Sequence, residues 1–178
     1  MIRLSKTLLN RPIISLRTGG RIGVTQNTII NPNNLKIEGF YCLDDFNKRQ
    51  RAILLYQDVR DIGNQGIFVN DHEAFSQADE LIRLKDILAH NFELLGKPVV
   101  TVNKSKVGKV TDYAVDALTM YVQKIYVARS VFKSLSMGSL SVDRTQIVEI
   151  TNRRIIIQEP LQGIPASVAA PSSVSLAN

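Results

Sequence analysis

Cysteine, histidine and paired carboxylates are the residues from which a catalytic or metal site would be built, and this chain keeps them apart. It has one cysteine, Cys42, and two histidines, His72 and His90. A zinc site gathers His, Cys and carboxylate ligands at short spacing, and Cys42 has no Cys partner at motif distance. Cys42 falls in an alternating apolar run, where a thiol acts as a small buried hydrophobe and not as a nucleophile. The pairs Asp44-Asp45 and Asp79-Glu80 read as solvated charges with nothing nearby to shift a pKa. Thr18-Gly19-Gly20-Arg21-Ile22-Gly23 has glycines at a phosphate-clamp spacing, but no helix pattern follows, so they read as a hairpin turn. The expectation is a chain with no catalytic residue, no cofactor and no metal ligand.

What remains for function is the surface, and its basic residues are the candidate partner contacts. They are Arg17 and Arg21 in an early hairpin, Lys48, Arg49 and Arg51, then Lys104, Lys106 and Lys109 in a later hairpin, and Arg153 with Arg154. Equivalent hairpins of the two halves are basic, a pattern that suits phosphates or an acidic protein patch. Stacking on single-stranded bases is poorly supported, since Trp is absent and aromatics make up 6% of the chain.

The elements that must position these residues come twice. Leu8-Leu9-Asn10-Arg11-Pro12-Ile13-Ile14-Ser15-Leu16 resembles Leu94-Leu95-Gly96-Lys97-Pro98-Val99-Val100-Thr101-Val102. The likeness continues from Ile37-Glu38-Gly39-Phe40-Tyr41 beside Val122-Gln123-Lys124-Ile125-Tyr126 into Asp61-Ile62-Gly63-Asn64 beside Glu149-Ile150-Thr151-Asn152. Each unit reads as short strands between Gly- and Asn-rich turns. In Leu35 to Leu43, strict alternation puts Leu35, Ile37, Tyr41 and Leu43 on the core face. One helix is expected, from Gln77 to Leu88, capped by Ser76 and carrying Leu81, Leu84 and Leu88 on one stripe. The resulting organisation is a first module over 1–72, a connecting helix and linker over 73–92, a second module over 93–160 and a flexible tail over 161–178.

Composition agrees with a packed, mainly β chain: 44% of residues are hydrophobic and 21% charged. The net charge is +6, and Lys and Arg exceed Asp and Glu by 12 against 9 up to Lys85 and by 10 against 7 beyond it. The excess is thus even along the chain. A lone cysteine, no charged-then-apolar leader and no apolar run near the ~20 residues of a membrane span point to the cytoplasm.

Leu95-Gly96-Lys97-Pro98-Val99-Val100, followed by Lys106-Val107-Gly108-Lys109-Val110-Thr111-Asp112-Tyr113-Ala114-Val115-Asp116, resembles the opening strands of the PRC-barrel family. The likeness runs on to the closing strand Arg154-Ile155-Ile156-Ile157, and Leu9 to Val69 resemble a more divergent copy with Gln26-Asn27 in place of Thr111-Asp112 and a longer insertion around Asp44 to Arg51. The resemblance implies two tandem small β-barrels joined by an α-helix. It also implies a non-catalytic adaptor that binds another protein or a second copy of itself, as do barrels similar to this in a reaction-centre subunit and a ribosome-maturation factor. The alternative is a ribosome-assembly factor whose basic hairpins contact ribosomal RNA or a ribosomal protein.

Overall fold

The computed structural model describes residues 1–129 and 139–159, so the tail expected at 161–178 lies outside the described residues. The first half of the chain supplies β1 (Ile2–Leu4), β2 (Pro12–Ser15), β3 (Arg21–Asn31), β4 (Lys36–Asp44), β5 (Arg51–Leu55), β6 (Val59–Ile62), β7 (Ile67–Val69) and β8 (Phe75–Ser76). The second supplies β9 (Pro98–Thr101), β10 (Lys106–Asp116), β11 (Val122–Arg129), β12 (Ser139–Asp143), β13 (Ile147–Ile150) and β14 (Ile155–Ile157). They form two seven-stranded sheets, one in the order β6-β7-β2-β3-β4-β5-β8 and the other β12-β11-β10-β9-β14-β13 with β1 added on β10.

Read from β13 to β12, six strands of the second sheet repeat β6 to β5 of the first in order, while β8 and β1 have no counterparts. In each, the opening strand pairs antiparallel with the long strand after it and parallel with the closing strand, Ile13 facing Ile67 and Val99 facing Ile155. The irregularities repeat as well. A residue slips out of register at Ile22, Gln26, Glu38 and Arg60 in the first sheet, and at Val107, Thr111, Gln123 and Val148 in the second. A bulge is stabilised by its particular ladder and re-aims every residue after it, so four matched bulges are a stronger mark of duplication than a shared pattern of apolar residues.

The bulge at Glu38 corrects the face expected for β4. It shifts the alternation by one, so Phe40 and Cys42 enter the core behind Leu35 and Ile37, while Tyr41 is half-buried and Leu43 is 47% exposed. The expected insertion also lies in the other copy: eight positions separate the paired Leu43 and Arg51 of β4 and β5, and eleven separate the paired Ala128 and Ser139 of β11 and β12.

The expected helix is largely replaced. Ser76 pairs with Ile53 as part of β8, so it cannot cap a helix. The Glu80 carboxylate instead accepts from the Gln77 N–H in a turn, at 2.8 Å. Only α1 (Lys85–His90) is α-helical, led in by a 3-10 turn over Ile82–Leu84. Leu81, Leu84 and Leu88 are half-buried, and α1 contacts β3.

The two sheets share one apolar core, which runs from Leu8, Ile13 and Phe40 to Tyr113, Ile125 and Ile155. They meet across an approximate twofold relation. The Ile37 N–H donates to the Met120 carbonyl at 2.8 Å, and the Val122 N–H to the Leu35 carbonyl at 2.9 Å. Thr28 and Tyr113, 85 positions apart, join their hydroxyls at 2.7 Å. Leu35 (φ 56°) and Met120 (φ 57°) both hold a left-handed backbone, which costs a branched or bulky residue about 1 kcal/mol or more. Their burial and the reciprocal hydrogen bonds offset that strain. No helix among the described residues is long and apolar enough to cross a membrane.

Candidate partner-binding surface

The residues that might have done chemistry are occupied structurally. Cys42 is fully buried in β4, where desolvation pushes its thiol up to about 12. Asp44 differs from the solvated charge expected: it is 5% exposed. One of its oxygens accepts from the Phe46 N–H at 2.8 Å, and the other lies 2.9 Å from His72 Nε2. The His72 ring in turn stands edge-on to Phe46 and Phe75, with centroids 5.3 and 5.4 Å away. Buried Thr25 closes the turn before β2 by donating to the Leu8 carbonyl and accepting from the Arg11 N–H. Among the described residues, no cluster of His, Cys, Asp and Glu is arranged to hold a metal ion.

All ten basic candidates are exposed, but the two sheets treat them differently. In the first, the hairpin cations carry acid partners. Arg17 Nη2 lies 2.5 Å from Asp71, and the Arg21 guanidinium grips Asp45 with two bonds of 2.8 and 3.0 Å. That grip holds the Asp45 carboxyl below its usual range. The Arg51 guanidinium sits 4.5 Å over the Tyr41 ring, a cation–π contact. Lys48 and Arg49 lie in the loop between β4 and β5.

In the second sheet, Lys104 occupies the left-handed position of the β9–β10 turn (φ 63°), where Gly19 stands in the first hairpin (φ 70°). Lys106 and Lys109 follow on β10. Arg153 and Arg154 lie in the turn before β14, their backbone N–H groups donating to Thr151 Oγ1. None of these five makes an ion pair among the described residues. The three ion pairs of the described residues, and the His72–Asp44 contact, all lie between Arg17 and His72. Every one of the chain's 16 Asp and Glu is among the described residues, so no undescribed Asp or Glu is left to pair with the second set.

Four acids of the second half are held in hydrogen bonds, whereas Glu149 is exposed on β13 opposite Ile156. Asp112 accepts from the Ser5 N–H and hydroxyl, and Asp116 from the N–H groups of Leu118 and Thr119. Asp143 caps the turn after β12. Backbone donors hold the carboxyls of Asp116 and Asp143 below their usual range. Glu159 accepts from Asn103 at 2.9 Å, the counterpart of the Arg17–Asp71 contact with a neutral amide in place of the arginine.

Two functional-looking cations were missed in the sequence and prove structural. Arg11 donates to the carbonyls of Gly63 and Asn64, and Lys97 Nζ to the carbonyl of Asn152 at 2.9 Å. Their signal was the shared placement before Pro12 and Pro98. Lys97 also lies 4.5 Å over the Phe92 ring, and desolvation lowers its pKa. No protein-family model and none of the curated proteins matches the chain.

Proposed function

We propose that the chain is a non-catalytic adaptor built from two tandem PRC-barrel modules, binding a protein partner through the outer surfaces of its sheets. The observation that carries this reading is the repeated sheet, with the same strand order and four matched bulges. Duplication of a small β module leaves the interior committed to packing and multiplies the exterior. The reading is further supported by the work done by the polar interior: Thr25, Asp44 and Asp112 close turns or tie segments together. A cytoplasmic setting fits the single buried thiol.

The test is affinity purification of the full chain from its native cell, with and without ribonuclease, followed by mass spectrometry. A stoichiometric protein partner that survives ribonuclease and moderate salt is the expected result. Loss of all partners on ribonuclease treatment would move the function to RNA, since phosphate contacts depend on released counterions and weaken steeply with salt.

A further inference from the structure

We propose that the outer face of the second sheet docks an acidic protein segment bearing aliphatic side chains. The inference rests on the adaptor reading and assigns the partner's chemistry. Val99, Thr101, Ile155 and Ile157 point into the core, so Val100 and Ile156 lie on the outer face, where both are half-exposed. Lys106 faces Val100, which faces Ile156, giving one row across three strands. Lys109 faces Pro98, and Arg154 lies one step before the Ile155–Val99 pair, giving a second row beside the first. Glu149 faces Ile156 at the far end of the first row; neighbouring strands are ~4.8 Å apart, so the three cations and this one carboxylate border the aliphatic pair within about 15 Å.

With Lys106, Lys109 and Arg154 against Glu149 alone, the patch keeps a net positive charge. The first sheet does not offer it: Val24 and Gly66 stand where the second has Lys109 and Arg154, and its hairpin arginines are already paired. Alternating cations and aliphatic side chains complement a segment in which carboxylates alternate with Val, Leu or Ile. Phosphate chains would use the charge but leave Val100 and Ile156 unserved. The two rows hold no aromatic side chain on which a base would stack.

The experiment uses the full chain and two labelled probes read by fluorescence anisotropy: a short peptide of alternating acidic and aliphatic residues, and a single-stranded RNA of matched charge. The triple variant K106E/K109E/R154E is expected to weaken the peptide about tenfold or more, while K48E/R49E leaves it unchanged. Val100→Thr with Ile156→Thr is expected to weaken the peptide about threefold and to leave RNA unaffected. All these side chains are at least partly exposed, and a melting curve for each variant verifies folding. Equal weakening by both charge reversals, no weakening by the triple variant, or tighter RNA binding indifferent to Val100 and Ile156 would overturn the proposal. Partners that persist on the triple variant in the purification above would sink this surface but leave the adaptor reading standing. Absence of protein partners on the unaltered chain would sink the adaptor reading itself.

Discussion

The Thr28–Tyr113 pair offers a measure of how strongly the two sheets depend on each other. Their hydroxyls meet at 2.7 Å, and Tyr113 is 1% exposed whereas Thr28 is half-buried. The two deletions should therefore differ. Tyr113→Phe removes the buried hydroxyl and leaves Thr28 able to turn to water, a loss of about 1 kcal/mol. Thr28→Val leaves the Tyr113 hydroxyl buried with no partner, and an orphaned group of this kind costs about 2 kcal/mol. Removing both leaves no orphan, so the double variant should fall short of the sum by about 1 kcal/mol. Urea unfolding followed by fluorescence and far-ultraviolet circular dichroism measures all three. A single shared transition is expected, because the core is continuous across the sheets. Two separable transitions, or a coupling within about 0.3 kcal/mol of zero, would refute the claim that the halves stabilise one another here.

Three further outcomes follow from the same geometry. A Cβ at Gly39 would lie 2.5 Å from the Leu54 carbonyl oxygen and 3.1 Å from the Leu55 Cα, so Gly39→Ala should cost about 3 kcal/mol in urea unfolding; a loss below ~1 kcal/mol would mean the β4–β5 ladder yields easily. Asp116 and Asp143 have depressed folded pKa values, so their stabilisation is complete above the ordinary carboxylate value of ~3.9 and is lost as pH falls through the folded values. The melting temperature should hold from neutral pH to about 5, then drop, and Asp116→Asn with Asp143→Asn should flatten that drop; an unchanged acid slope would contradict this. Cys42, buried with its thiol at about 12, should resist thiol reagents at pH ~8 until denaturant is added, and prompt labelling of the native chain would place it elsewhere.

Duplication was legible in the sequence because aligned positions keep a nearly constant offset, yet its details depended on ladders that no local pattern reveals. Strict alternation put Tyr41 and Leu43 inside β4, and the bulge at Glu38 turned them out. Ser76 had the type and spacing of a helix cap, but a partner strand used it first. Asp44 looked solvated because its contact, His72, lies 28 positions away. The even spread of net charge likewise hid where charge is neutralised. Arg17 meets Asp71 and Arg21 meets Asp45 only once the sheet is folded.

The difference between the two surfaces has a physical origin in which residues close the matching turns. Asn31 Oδ1 accepts the Asn33 N–H in the first copy, and Asp116 Oδ1 accepts the Leu118 N–H at the equivalent place in the second. Likewise Asn27 stands where the second copy has Asp112. Asp71 accepts the Glu73 N–H and still meets Arg17, whereas its counterpart Glu159 meets the neutral Asn103. In the second sheet, Lys106 and Asp116 stand at the two termini of β10. At ~3.3 Å per residue those termini are about 33 Å apart, well beyond the ~8 Å over which physiological salt screens charge. Equal net charge along the sequence thus folds into paired hairpin arginines on one sheet and, among the described residues, hairpin lysines without an ion pair on the other.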